Sequence, residues 1–172
     1  MSPTFVHPAV ARAREALASC HEVRVVATLV RDDVVAVVLE SAEVRYVSLV
    51  ERREGAWVAP ECLVGQRLTG APRTSYIETY DPLPQLACTE SMWPDAAGQK
   101  PKAAWFALTA LAGFDVAAVE TSSQLDECHD PIRPDGLVFH MLRVPTGTWP
   151  EIAVTTLDGR SLPVHKDKRA DN

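Results

Sequence analysis

Asparagine is all but missing from this chain: the only one is Asn172, the last residue. No Asn-X-Ser/Thr triplet exists, so the sequence holds no N-glycosylation acceptor. Lysine is scarce as well, at four against thirteen arginines, and the arginines are scattered. Without a basic run there is nothing to track a phosphate backbone, which excludes nucleic acid as the main partner. Aromatic residues make up only 6% of the chain. A core built from it must therefore rest on Val, Leu and Ala. No apolar run approaches the roughly 20 residues that would cross a bilayer as a helix. The start, Met1-Ser2-Pro3-Thr4-Phe5-Val6-His7-Pro8, has neither a basic n-region nor an apolar h-region. The expectation is a cytoplasmic protein with no membrane partner.

The chemical motifs are missing too. There is no G-x-G-x-x-G, G-x-x-x-x-G-K, G-x-S-x-G or H-E-x-x-H. A Rossmann oxidoreductase, a P-loop NTPase, an α/β-hydrolase and a zincin are all disfavoured, and no cofactor is expected. Cys20, Cys62, Cys88 and Cys128 lie far apart with no C-x-x-C. That spacing supports neither a zinc knuckle nor a thioredoxin-like motif, and the compartment favours reduced thiols.

What is present is valine at strand spacing. Of the 172 residues 47% are hydrophobic, enough for a real core, and the formal charge of −6 serves solubility. His21–Arg31, Asp33–Glu40 and Glu43–Glu51 are valine-rich runs with turn-sized charged spacers, and Trp57–Val58 begins a fourth. Such runs predict an antiparallel meander. Its second run, Val34-Val35-Ala36-Val37-Val38-Leu39, has no polar face, so it must be covered on both sides. Pro8 and the stripe Val10, Ala13, Ala16 and Leu17 predict a helix over residues 8–20 that supplies one cover. The rest of the chain, or another subunit, supplies the other.

Residues 66–101 are punctuated by Pro72, Pro82, Pro84, Pro94 and Pro101 and sustain no period. They read as a packed irregular connector, with a short strand at Ser75–Thr79. Beyond them Asp115–Thr121, Gly136–Val144, Glu151–Leu157 and Ser161–Val164 read as strands, with Asp158-Gly159 as a type I′ hairpin turn. Ala103–Ala112 fits either a helix stopped by Gly113 or a strand, and its β neighbours tip it to strand. The fold class is thus α+β and β-dominated. A helix and antiparallel meander (1–65) precede the connector (66–101). A β-sandwich-like half (102–165) and a frayed tail (166–172) follow, all of which can form one continuous domain. The outline resembles small α+β modules of the cystatin or NTF2-like kind joined to an immunoglobulin-like sandwich. That likeness is architectural and carries no motif residues.

Three sets of residues could carry chemistry. Asp126, Cys128, His129 and Asp130 form the densest polar cluster and could offer metal ligands or a thiol beside an imidazole. Neighbours in an extended segment point opposite ways, however, so Cys128 and His129 make a poor nucleophile–base pair. The plainer reading is a solvated connection between two strands. His140 alternates with Val138, Leu142 and Val144 and is a candidate general base; more often such a residue is a hydrogen-bonded core histidine. His21 has the same status. Tyr76, Glu78, Tyr80, Asp81 and Trp93 could line a pocket, or pin a loop while the acids face water. The expected function is a non-catalytic interaction or scaffold protein that binds a protein partner or itself. The alternative is a small-molecule-binding module or minor enzyme whose pocket is roofed by residues 74–93.

Overall fold

The computed structural model describes residues 7–17, 22–60, 63–68, 73–91, 93–94 and 98–165. His21, Cys20 and Cys62 lie outside them. The helix α1 is Pro8–Leu17, with Ala9, Val10, Ala13 and Leu17 buried. The meander is β1 (Arg24–Arg31), β2 (Val34–Glu40), β3 (Val44–Arg53) and β4 (Ala56–Val58). Strand β5 (Val64–Arg67) pairs with β3 beyond the end of β4. The single helical turn α2 (Tyr76–Thr79) and strands β6 (Ala87–Glu90) and β7 (Ala103–Leu111) come next. Strands β8 (Val116–Ser122), β9 (Glu127–Pro131), β10 (Leu137–Pro145), β11 (Glu151–Thr156) and β12 (Ser161–Val164) complete the chain. Every ladder is antiparallel, so the protein is α+β and β-dominated.

Three sheets stack. The first has β1-β2-β3 with β4 and β5 both on β3; the second is β10-β7-β6; the third is β12-β11-β8-β9. Alternation along β2 explains the stacking. Val35, Val37 and Leu39 pack under α1 with Val50. Val34, Ala36 and Val38 turn the other way, onto Ala87, Ala107, Phe139 and Met141 of the second sheet. All seven residues of β2 are buried. The second cover is thus the chain's own, and no other subunit is needed to shield β2. The far face of the second sheet, with Phe106, Leu108, Val138 and Leu142, packs on Val116, Val119, Ile152 and Val154 of the third.

At the end of β2 the carboxylate of Glu40 is buried between two guanidinium groups. Arg45 Nε donates to its Oε1 at 2.7 Å, and Arg24 Nη2 to its Oε2 at 2.6 Å. Arg24 is mostly exposed, whereas Arg45 is buried with it. A buried charge held by a single buried counter-ion is costly to orphan.

Four expectations need correction. Ser75–Thr79 is not a strand: Ser75 caps α2, accepting from the Glu78 N–H while Glu78 accepts from the Ser75 N–H. Ser-x-x-Glu is a helix-start signature that outweighs the β propensity of Tyr76 and Ile77. The connector is not irregular throughout, since β5 joins the first sheet and β6 the second. Residues 126–130 are solvated, with four of the five residues of β9 exposed, but they are not merely a connection, because Glu127–Pro131 pairs with Ser122–Ala118 as an edge strand. The turn after β11 is not type I′. Gly159 N–H bonds to Thr156 C=O, and only Gly159 has positive φ, which makes a type I turn closed by a glycine bulge.

Candidate functional site

The third sheet leans on the open edge of the second, and the candidate residues fall at that corner. Arg143 and Met141 of β10 turn their main-chain groups away from β7. Side chains take up three of these four groups. Asp126 accepts from the Arg143 N–H at 3.1 Å, Ser123 Oγ donates to the Arg143 C=O at 2.6 Å, and the Cys128 thiol donates to the Met141 C=O at 3.3 Å. Arg31 at the end of β1 reaches across to Asp126 at 2.6 Å. So Asp126, just before β9, and Cys128 within it are both spent on holding the corner. His129 lies opposite Glu120 in the ladder. Burial pushes the Cys128 thiol above its ordinary pKa, so it stays protonated. A protonated thiol is a poor nucleophile and a poor metal ligand. No cluster of three or more His, Cys, Asp or Glu that could hold a metal occurs among the described residues.

His140 lies next to this corner, between the second and third sheets. Its side chain is 1% exposed. Nδ1 shares a 2.9 Å hydrogen bond with the hydroxyl of Thr121. Nε2 faces Asp130 Oδ2 at 3.6 Å, while the Asp130 side chain is 67% exposed. Burial lowers the His140 pKa more than Asp130 raises it. The ring is therefore neutral near pH 7. Thr–His–Asp is the order of a nucleophile, base and acid, but Thr121 is fully buried in β8. A substrate carbonyl cannot reach that hydroxyl, so the arrangement supports packing and not acyl transfer.

Beside His140 opens a cleft of about 380 Å³. One wall is Ala27, Thr28 and Leu29 of β1; the other is Asp130, Pro131, Ile132 and Arg133. Leu137, Val138, Phe139 and His140 line the rest. This volume lies in the ordinary ligand-pocket range of about 300–1,000 Å³. The cleft is not roofed by residues 74–93. Its β1 wall is the edge of the first sheet among the described residues, where Val25, Leu29 and Val30 are exposed.

Tyr76, Glu78, Tyr80, Asp81 and Trp93 do not converge on the cleft. Tyr76 is pinned by its N–H to Asp115 at 2.7 Å, and its ring lies under Arg160. Glu78 is occupied by the capping box, and Asp81 accepts from the Leu83 N–H at 3.1 Å. Tyr80 is 78% exposed, and Trp93 stacks under Arg53. Tyr76 and Trp93 are held against Arg160 and Arg53, whereas Tyr80 stands in solvent. Sequence reasoning missed the β1 wall because every residue there reads as ordinary strand. The signal available was Val30 and Leu29 beside Arg31, an apolar pair in a strand with no assigned neighbour on one side.

Neither a protein-family model, nor a curated protein, nor a solved structure matches this chain.

Proposed function

We propose that this protein is a non-catalytic interaction protein, and that a protein partner docks on the free margin of β1 over the adjoining cleft. One observation carries the reading. Strand β1 is an eight-residue sheet edge whose residues 28–31 are all exposed, with Leu29 and Val30 among them. Natural proteins blunt such edges, because unpaired backbone groups recruit other chains. Here a bulge at Val26 and the flanking Arg24 and Arg31 protect the ends and leave the middle open. The groups nearest to chemistry, Cys128 and His140, are a protonated thiol and a neutral buried imidazole, which favours binding over catalysis. The proposed setting is the cytoplasm.

The test is capture from the native host with the tagged protein and with Val30→Lys. The substitution sits on an exposed position, so folding is retained. Partners that are lost with Val30→Lys and kept with the exposed control Glu54→Lys support the reading. An identical set of captured proteins from both variants contradicts it.

A further inference from the structure

The cleft beside His140 carries a charge that nothing in the fold balances. Asp130 and Arg133 are the charged residues of its lining, since burial keeps the His140 ring neutral near pH 7. Arg133 is already matched, by Asp135 at 3.0 Å. Arg31, the nearby cation of β1, is likewise taken up by Asp126 at 2.6 Å. Asp130 is not matched. Among the described residues no lysine or arginine lies within ion-pair distance of it, and its one close neighbour of that kind is the neutral His140. Asp130 Oδ2 lies 3.6 Å from His140 Nε2, beyond hydrogen-bond reach, so the carboxylate is not used up there. That oxygen approaches a ring that is 1% exposed, while the Asp130 side chain as a whole is 67% exposed. The carboxylate therefore stands at the mouth of the cleft with Oδ2 turned to its floor.

The walls beside that charge are Ala27 and Leu29 on one side and Pro131 and Ile132 on the other. A carboxylate next to such apolar walls attracts a counter-charge more strongly than one in open water, because a low-dielectric surface focuses its field. The occupant that answers both features is an aliphatic chain ending in a cation. We propose that the cleft takes a lysine side chain of the partner protein, with its methylenes between Leu29 and Ile132 and its ammonium on Asp130. Lysine stems lie along apolar surface in this way while the charged head stays near water. Arginine suits the site less well. The planar fork of a guanidinium binds best to both oxygens of a carboxylate, and here Oδ2 is turned to the His140 ring; an ammonium needs only one oxygen. The formal charge of −6 on the whole chain steers a basic partner in the same sense. This assignment rests on the β1 margin being the docking surface and adds the chemistry of the group that enters the cleft.

The experiment selects heptapeptides from a displayed random library on the immobilised full chain, with Asp130→Asn as counter-selection. Asp130 is exposed and the change is nearly isosteric, so the fold is kept. The selected peptides should carry a lysine and bind Asp130→Asn about fivefold more weakly. Norleucine in place of that lysine should cost about the same on the unaltered protein and nothing further on Asp130→Asn, because both changes break one interaction. The difference should shrink as salt is raised. Methyl signals of Leu29 and Ile132 should shift when peptide is added. No enrichment over Asp130→Asn overturns the proposal, as do lysine and norleucine peptides that bind alike. Binding of n-butylammonium as tight as that of the peptides overturns the protein segment in favour of a small amine. A partner captured through Val30 that binds Asp130→Asn as well as the unaltered protein would sink this assignment and leave the β1 docking surface standing.

Discussion

Strands β1 and β2 lie side by side, share a ladder and are both rich in valine, yet they meet opposite surroundings. β2 is buried along its whole length, whereas β1 is exposed at six of its eight residues. Valine content does not separate them; position does. β2 is sandwiched between α1 and the second sheet, and β1 ends the sheet. Of the two, the inner strand carries the buried packing, and the outer one carries the exposed apolar side chains Leu29 and Val30.

That contrast can be broken most sharply at Glu40. Glu40→Ala strands Arg45 in the interior and should lower unfolding free energy by about 3–5 kcal/mol in urea denaturation. Arg24→Ala removes only the exposed partner and should cost about 1 kcal/mol or less. A similar loss for both would mean that the pair is not buried as described. The next effect compares leucines on the two strands. Leu39→Ala should cost about 2–5 kcal/mol, because it empties space under α1. Leu29→Ala, at the exposed edge, should cost about 0.5 kcal/mol or less.

The corner beside the cleft yields a pH prediction. The groups facing His140 are Thr121 across the sheets, Asp130, which favours its charged form, and His129, which opposes it. Because the folded-state pKa lies below the unfolded one, the unfolded chain takes up the proton first as pH falls. Stability from this group is therefore whole above about pH 6.5 and declines below it, until the folded-state pKa is passed. The urea midpoint should fall with acidification through that window. Asp130→Asn should steepen the fall, since it removes the charge that holds the pKa up. His140→Phe, even if less stable throughout, should flatten that part of the profile. An unchanged slope in His140→Phe would show that another group governs it.

Much of the fold was legible because periodicity and burial agree. The apolar run Val34–Leu39 announced a strand covered twice, and α1 lies on one of its faces. The strand reading of Ala103–Ala112 followed from its neighbours, and β7 is Ala103–Leu111. Short elements were illegible where their identity depends on distant partners. Residues 87–90 become β6 only because Thr109 to Phe106 lie beside them. The capping box at Ser75 and Glu78 was in plain view and was outweighed by aromatic and β-branched neighbours. At the site, His140 was found but its surroundings were not. Thr121 and Asp130 come from two other strands, and no spacing links them. The β1 wall was invisible for a different reason: a sheet edge is a property of strand order, which a pattern of valines does not encode.

Amide hydrogen exchange on the isolated protein, read residue by residue, tests the contrast most directly. The amides of β2 should exchange only through global unfolding, while Thr28 and Val30, whose N–H groups face outward from the β1 edge, should exchange orders of magnitude faster. Protection of Thr28 and Val30 equal to that of β2 would mean that the margin is already covered, and the docking surface proposed for it would not exist.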